Sequence, residues 1–219
     1  MATSTFYVFR HGETDWNRLG RMQGSADIPL NSLGVAQAES LRSFFDGQEF
    51  AALKSDREAL LKSVVSSPLM RARETLRLAL RMTETEGALI RTDARWAETH
   101  LGQAEGMTRE ELTATFGEDI WLGWIGLGQE SWHAKFPGGE TKGEVRDRAL
   151  AAFEDLANES ERGGPTTWFV ASHGGLLRRV LHHYHPEVQT PIDVVNGAVF
   201  KFVRENGVWS VAKDPVYLP

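Results

Sequence analysis

Residues 6–14 read Phe6-Tyr7-Val8-Phe9-Arg10-His11-Gly12-Glu13-Thr14, in which an apolar tetrapeptide is followed at once by a polar run. Four consecutive apolar residues predict a short buried strand that ends where the polar run begins. In an α/β sheet, the carboxyl ends of the strands border the crevice in which ligands bind. The sequence therefore places Arg10 and His11 at a candidate ligand site, to which other parts of the chain must contribute.

Two further apolar stretches end in similar polar loops. Residues 64–65 lead into Ser66-Ser67-Pro68-Leu69-Met70-Arg71, and residues 168–171 lead into Ser172-His173-Gly174-Gly175. A parallel sheet would bring all three loops to one edge, where two imidazoles and at least two guanidiniums would suit a phosphate dianion. A helix that begins near Gly174 would also direct its amide groups at such an anion.

The order of the remaining segments predicts the fold class. Helices are expected over about 33–46, 69–82, 108–116, 141–162 and 174–184, and residues 48–62 read as a second short helix or an irregular turn. Strands are expected at 6–9, 64–67, 88–90 and 168–171, followed by a β-hairpin, 198–203 with 208–213, that turns at Asn206-Gly207. This alternation indicates an α/β three-layer sandwich, in which helices cover both faces of a mainly parallel central sheet. Residues 1–219 are expected to form one domain with an insertion or lid over about 103–140.

Length and composition exclude several classes of protein. The 219 residues are 41% hydrophobic and 25% charged, as in an ordinary globular domain, and the net charge of -6 argues against bulk nucleic-acid binding. The chain has no cysteine, which excludes disulfides, thiolate nucleophiles and cysteine-based metal sites. No apolar run approaches the ~18 residues that span a bilayer, and residues 1–5 leave no room for a signal peptide before the first strand. A cytoplasmic protein without membrane or nucleic-acid partners is expected.

Arg10-His11-Gly12-Glu13-Thr14-x-x-Asn17, the first of six short motifs, is similar to the RHGxT motif of the histidine phosphatase superfamily, which includes the cofactor-dependent phosphoglycerate mutases. Five further blocks follow in the family order: Gln23-Gly24 with Asp27-x-Pro29-Leu30-x-x-x-Gly34, Ser66-Ser67-Pro68-Leu69-x-Arg71-Ala72-x-Glu74-Thr75, Glu98-x-x-x-Gly102-x-x-Glu105-Gly106, Pro137-Gly138-Gly139-Glu140 and Ser172-His173-Gly174. Glu74 and Ala104 depart from the usual Gln and Trp. The resemblance covers most of the chain and implies a phosphoglycerate mutase-like fold.

The resemblance also implies a role for each matched residue. His11 would attack phosphorus to give a phosphohistidine, and Glu98 would protonate the leaving alkoxide and later activate the hydrolytic water. A neutral imidazole is a suitable nucleophile near pH 7. The phosphoryl oxygens would be held by Arg10, Arg71 and His173. Further hydrogen bonds would come from Asn17, Gln23, Gly24 and Gly174. No cofactor and no metal are expected.

Some side chains compete with the matched ones. Glu105 and Glu13 are alternative acids, although Glu13 is expected to orient its neighbours rather than to transfer protons. On the 69–82 helix the motif selects Arg71, and the two other arginines considered, Arg73 and Arg77, are expected on a solvated face.

Two other groups of side chains have a structural explanation. The cluster His182, His183 and His185 lies at a helix end, where positive side chains favour the dipole, and it lacks the carboxylate partner of a metal site. Trp16 and Trp168 are expected in the core. Trp121, Trp124 and Trp132 would either shape a substrate pocket or pack the insertion.

The 117–139 segment bears on the type of reaction. A mutase needs a closed lid with extra cationic groups for the carboxylate of its glycerate substrate, whereas this segment offers only Lys135 and His133. We therefore expect a metal-independent phosphomonoesterase, a phosphoric monoester hydrolase similar to the broad-specificity and α-ribazole-phosphate phosphatases, with a small-molecule phosphomonoester as its partner. The alternatives are a phosphoglycerate mutase-type phosphotransferase and a non-catalytic member that binds phosphate ligands. The oligomeric state is open, with a homodimer as one option.

Overall fold

A six-stranded sheet lies at the centre of the chain. A computed structural model describes residues 3–219, apart from the Gln129 side chain. The strands are β1 Thr3–Arg10, β2 Val64–Ser66, β3 Arg91–Thr92, β4 Thr167–Ser172, β5 Val199–Glu205 and β6 Val208–Val211. Their order in the sheet is β3-β2-β4-β1-β5-β6. The first four strands pair in parallel, and β5 and β6 add an antiparallel edge, which confirms the mainly parallel sheet. The expectation that residues 1–5 leave no room for a signal peptide also concerns Met1 and Ala2, which lie outside the described residues.

Helices and short 3₁₀ turns connect these strands. The helices are α1 Asp15–Arg18, α2 Ser32–Phe45, α3 Ala51–Ser55, α4 Arg57–Lys62, α5 Met70–Ala79, α6 Glu84–Ala88, α7 Arg109–Phe116, α8 Glu118–Ile125, α9 Lys142–Glu161 and α10 Gly174–Tyr184. The 3₁₀ turns are Gln48–Phe50, Ala94–Trp96, Gly102–Ala104 and Gln129–His133. Within residues 3–219, no helix combines the length and the apolar character that a membrane crossing requires.

Alternate residues of β1 enter two separate hydrophobic cores. Phe6 and Val8 belong to the core that α9 and α10 cover, whereas Phe9, with Tyr7 partly buried beside it, belongs to the core covered by α2 and α5. This division follows because successive side chains of a strand point to opposite faces of the sheet. The result is the expected three-layer arrangement.

Residues 88–90 do not form the expected strand. Ala88 is the last residue of α6, and β3 begins only at Arg91. A capping box of Thr83 and Glu86 begins α6, so that the apolar run 88–90 completes a helix and the turn after it. The edge strand that follows consists of two exposed residues and has no apolar pattern of its own.

The insertion folds around a small core of its own. Its buried side chains are Ala104, Leu112, Trp124 and Phe136, and Leu101, just before the insertion, completes the cluster. Lys142, at the start of α9, donates its Nζ protons to the carbonyl oxygens of Trp124, at 3.1 Å, and Gly126, at 2.5 Å. These two bonds satisfy the carbonyl end of α8 and attach the insertion to the long helix beneath it.

Candidate active site

The loops that follow β1, β2 and β4 meet at one edge of the sheet, where a cavity of about 350 Å³ opens. Of the nine residues expected at the site, eight line this cavity: Arg10, His11, Asn17, Gln23, Gly24, Arg71, Glu98 and Gly174. The ninth, His173, is fully buried, and the centre of its ring lies 5.1 Å from that of His11. The fold therefore brings all nine together from loops far apart in the chain.

His11 is held in one tautomer. Its Nδ1 donates to the carbonyl oxygen of Gly12 at 2.6 Å, so that Nε2 of the neutral ring carries the lone pair. Burial, followed by the positive charges of Arg71 and Arg10, lowers the pKa of His11 well below its ordinary value. The imidazole is consequently neutral near pH 7, with a nucleophilic nitrogen available.

The backbone beside His11 is fixed from three sides. A Cβ atom at Gly12 would lie 2.3 Å from the carbonyl oxygen of Gly34, so a side chain at this position would collide with α2. The Gly12 N–H donates to Oγ1 of Thr75 at 3.0 Å. Asn196 donates from Nδ2 to the carbonyl oxygen of His11 at 2.9 Å. Together these contacts hold the ring in place.

Arg10 and Arg71 are anchored by carbonyl groups rather than by carboxylates. Arg71 donates to the carbonyl oxygens of Ala26, at 2.6 Å, and Gly24, at 2.9 Å, and Arg10 donates to that of Val194 at 2.6 Å. Burial lowers the pKa of Arg10 to about 10, which leaves it protonated at neutral pH. Both guanidiniums keep donors and a full positive charge for an anion in the cavity.

His173 presents one nitrogen without a partner. Its Nε2 lies 2.7 Å from Oγ of Ser67, whereas the buried Nδ1 has no hydrogen bond to any described residue. Burial, then the charge of Arg71, lowers the pKa of His173 well below its ordinary value. If the Ser67 hydroxyl donates to Nε2, the proton of the neutral ring lies on Nδ1 and is free for a phosphoryl oxygen.

Glu98 is held at the amino-terminal end of α10. One carboxylate oxygen accepts from the Gly175 N–H at 2.9 Å, and the other accepts from the N–H groups of Leu176, at 3.1 Å, and Thr99, at 2.9 Å. A Cβ atom at Gly175 would lie 2.3 Å from this carboxylate, so the glycine permits the close approach.

The competing acids support loops instead of lining the cavity. Glu105 accepts from the N–H groups of Ser25, at 2.8 Å, and Leu101, at 3.1 Å. Burial alone would raise the pKa of Glu105, but these hydrogen bonds outweigh burial and lower it. Glu13 accepts from Nδ2 of Asn31 at 2.9 Å, next to the cap of α2.

Arg148 is a positioning residue that the motifs do not indicate. It donates to the carbonyl oxygens of Arg95 and Ala97, both at 2.8 Å, and of Glu98, at 3.1 Å, and it pairs with the carboxylate of Glu140 at 2.8 Å. These bonds clamp the segment that carries Glu98. The sequence gives no signal for Arg148, because its carbonyl partners lie 50 to 53 residues earlier in the chain.

The far wall of the cavity consists of α8 and the later turns of α10. Trp121 and Trp124 line this wall, whereas Trp132 lies outside it, where Arg146 covers its ring at 4.6 Å. From α10 come Arg178, Arg179 and His182, none of which the motifs had selected. Burial lowers the pKa of His182, which favours a neutral ring over the charged side chain expected at a helix end.

Two tryptophans differ in burial, and the histidine cluster lacks metal-site geometry. Trp168 is fully buried, as expected, whereas Trp16 is only half-buried and lies against Gly106. Across residues 3–219, no group of three or more His, Cys, Asp and Glu side chains has the arrangement of a metal site.

Buried polar atoms without a hydrogen bond concentrate at this site. Among the described residues there are nine such side-chain atoms, and six belong to the cavity wall or to His173: Arg10 Nε, Gln23 Oε1, Arg71 Nε, Trp121 Nε1, His173 Nδ1 and Arg179 Nε. Gln23 Oε1 is an acceptor, whereas the other five atoms are nitrogens that can donate. Because buried donors are normally satisfied, these five nitrogens indicate a ligand that accepts hydrogen bonds, as an oxyanion does.

Comparison with known proteins gives the family. The family model of the histidine phosphatase superfamily (branch 1) matches residues 6–213. A glucosyl-3-phosphoglycerate phosphatase of Mycobacterium tuberculosis is 34% identical over 183 residues, which cover 81% of this chain and 73% of that protein. The 2,3-bisphosphoglycerate-dependent phosphoglycerate mutase 2 of Gloeobacter violaceus is 29% identical over 191 residues, 85% of this chain and 80% of that protein.

Solved structures agree with this result. Bacillus stearothermophilus YhfR superposes with a TM-score of 0.72 at 28% identity, covering 96% of this chain and 97% of its own. A mycobacterial glucosyl-3-phosphoglycerate phosphatase complexed with VO3 gives a TM-score of 0.69 at 25% identity over 95% and 97% of the two chains. By its matched residues and its fold, the chain belongs to the histidine phosphatase superfamily.

Proposed function

We propose that this protein is a phosphomonoesterase that carries the phosphoryl group on His11 during turnover. The observation that carries the proposal is the neutral His11 ring, whose Nε2 lone pair is available beside two guanidiniums without carboxylate partners. A neutral nucleophile surrounded by fixed positive charge suits attack on a phosphate dianion.

In the first step, Nε2 of His11 attacks phosphorus while the bond to the leaving oxygen breaks. Glu98, in its protonated form, gives its proton to that oxygen, so that a neutral alcohol departs. Arg10 and Arg71 hold the phosphoryl oxygens, together with Nδ1 of His173 and the Gly174 amide. These groups stabilise the charge that spreads over the equatorial oxygens in the transition state.

In the second step, water enters and Glu98 accepts one of its protons. The hydroxide that forms attacks phosphorus, the bond to Nε2 breaks, and inorganic phosphate leaves. Asn17 and Gln23 line the same cavity, where they would supply neutral hydrogen bonds to phosphate. The cycle requires no metal in this proposal, since the guanidiniums supply the positive charge, and we place it in the cytoplasm.

A phosphoglycerate mutase-type transfer is the second candidate. Relatives of both kinds match the chain, and α10 supplies Arg178 and Arg179 to the cavity. The cavity is therefore more cationic than the 117–139 segment alone indicated. A mutase would retain the phosphohistidine and transfer it to a second substrate hydroxyl, whereas a phosphatase admits water.

Hydrolysis of p-nitrophenyl phosphate in the presence of EDTA tests the proposal. The wild-type protein should release p-nitrophenol, and His11→Ala should abolish release without unfolding the chain. Formation of 2-phosphoglycerate from 3-phosphoglycerate faster than phosphate release would favour the mutase. A folded wild-type protein that binds phosphate but hydrolyses none of a panel of metabolite phosphates would favour the non-catalytic alternative.

A further inference from the structure

We propose that Arg179 forms a subsite for a second anionic group, carried by the leaving part of the substrate. This inference rests on the proposed function and specifies its substrate class. Arg179 lines the cavity and is only 9% exposed, yet its side chain makes no hydrogen bond and no ion pair with the described residues. Burying a guanidinium without hydrogen bonds or an ion pair costs free energy unless a ligand supplies the missing acceptors.

Arg179 lies on the side of the cavity where the leaving group departs. It follows Gly175 by four residues on α10, and the Gly175 N–H is a hydrogen-bond partner of Glu98. Positions four apart share one face of a helix and lie about 6 Å apart along its axis. Burial lowers the pKa of Arg179 to about 10, and the negative charge of Glu98 opposes that shift. Arg179 and Glu98 therefore line the same cavity, with Arg179 one helical turn beyond the residue whose N–H holds the Glu98 carboxylate.

The insertion holds this guanidinium in place. Arg179 stacks on the ring of Trp124 at 4.9 Å, and Trp124 is only 8% exposed. Lys142 fixes the Trp124 backbone through its carbonyl oxygen at 3.1 Å. Trp121, one turn earlier on α8, adds a buried Nε1 without a partner to the same wall. A stacked arginine of this kind loses little freedom when it binds an anion.

The charge of the cavity also calls for a second anion. Five arginines line the cavity, and one of them, Arg21, pairs with the carboxylate of Glu111 at 2.9 Å. No carboxylate of the described residues pairs with the other four, Arg10, Arg71, Arg178 and Arg179, and Glu98 is the acidic side chain in the lining. Two acidic residues that do not line the cavity raise the pKa of these arginines and so oppose the effect of burial: Asp193 acts on Arg10, and Asp27 acts on Arg71. With Glu98 protonated, as the first step requires, a phosphomonoester dianion balances two of these four positive charges. Two positive charges remain, and of the arginines that carry them Arg179 is the one on the leaving-group side.

The substrate class is therefore a small phosphomonoester with a carboxylate or a second phosphoryl group close to the scissile oxygen. Both groups match the planar fork of arginine, which can donate two parallel hydrogen bonds to either. Two substrate pairs distinguish the two kinds of second anion: 3-phosphoglycerate with glycerol 3-phosphate for the carboxylate, and glycerol 1,3-bisphosphate with glycerol 3-phosphate for the phosphoryl group.

The test compares kcat/KM for these pairs in wild type, Arg179→Gln and Arg109→Gln. The control Arg109 also lies over a tryptophan of the insertion, Trp121 at 5.4 Å, but it does not line the cavity. We expect wild type to prefer the doubly anionic member of at least one pair, and Arg179→Gln to lose about 10- to 100-fold on that member. Its kcat/KM for the singly anionic member should change less than about twofold, as should both values in Arg109→Gln.

Equal losses on both members would overturn the subsite, since Arg179 would then act through Glu98 or through the fold. Equal wild-type kcat/KM values for the two members of each pair would overturn it as well. Calorimetric binding of the same pairs to His11→Ala, with and without Arg179→Gln, separates this inference from the phosphatase activity. A binding preference that disappears with Arg179 supports the subsite even if wild type hydrolyses nothing. Should Arg179→Gln fail to fold, a missing preference in the His11→Ala protein still contradicts the proposal.

Discussion

The rings of His11 and His173 lie 5.1 Å apart between their centres, and both are buried next to Arg71. Burial and the neighbouring positive charge lower the pKa of each ring well below its ordinary value. The folded protein therefore keeps two neutral imidazoles in a region of positive charge. In the mechanism we propose, they serve as a nucleophile and a hydrogen-bond donor without adding to the electrostatic repulsion.

We expect the free energy of unfolding to fall as the pH drops below about 6.5. In this range the unfolded chain binds protons at His11 and His173, whereas the folded chain does not, so protonation favours unfolding. Each histidine contributes at most about 1.4 kcal/mol per pH unit. Urea unfolding at several pH values between 7.5 and 5 measures this slope. His173→Asn should flatten it, with the exposed His100→Gln as the control, and an unchanged slope in His173→Asn would contradict the explanation.

We expect Glu98→Gln to act according to the leaving group. For alkyl phosphates, which need a proton on the leaving oxygen, kcat/KM should fall by about 10²–10⁴. For p-nitrophenyl phosphate, whose leaving group departs without protonation, kcat/KM should change little, while kcat falls because hydrolysis of the phosphohistidine still needs a base. Steady-state kinetics on both substrates measures the difference. Equal losses of kcat/KM on the two substrates would show that Glu98 is not the proton donor.

We expect the effect of Arg148→Met to depend on the leaving group in a similar way, because Arg148 holds the backbone of the segment that carries Glu98. Arg148 holds the carbonyl oxygens of Ala97 and Glu98 and the carboxylate of Glu140, so its loss frees the segment that carries the acid. A displacement of about 1 Å can lower a rate by about 10², and we expect that loss in kcat/KM for an alkyl phosphate. The loss for p-nitrophenyl phosphate should be much smaller. The matched control Arg146→Met changes an arginine of the same helix that stacks on Trp132 outside the cavity.

The strands that carry the site were predictable because each contains an apolar run. These runs are Phe6–Phe9 in β1, Val64–Val65 in β2 and Trp168–Ala171 in β4, and each ends where its motif begins. Parallel pairing then places the three loops at one edge, so the meeting of His11, Arg71 and His173 followed from topology. The strand β3 escaped prediction because both of its residues are exposed, whereas the buried Ile90 next to it belongs to a turn.

The remaining site residues depend on contacts that have no local signal. Asn196 and Arg148 act through backbone carbonyl groups far away in sequence, and any polar residue on a surface loop or helix looks the same in the sequence. Arg179 stands beside Arg178 in an otherwise apolar stretch of α10, and nothing in that stretch distinguishes the two arginines. The contact with Trp124 of the insertion, more than fifty residues earlier, contributes to its burial.

The central claim is that His11 carries the phosphoryl group. Rapid acid-free quenching of the enzyme with substrate, followed by peptide mass spectrometry, measures the site directly. We expect one phosphoryl group, stable to base and labile to acid, on the peptide that contains His11, formed and lost at rates compatible with turnover. It should be missing from His11→Ala, and it should accumulate in Glu98→Gln with p-nitrophenyl phosphate. Phosphorylation of another residue with equal kinetics, or full activity in His11→Ala, would contradict the claim.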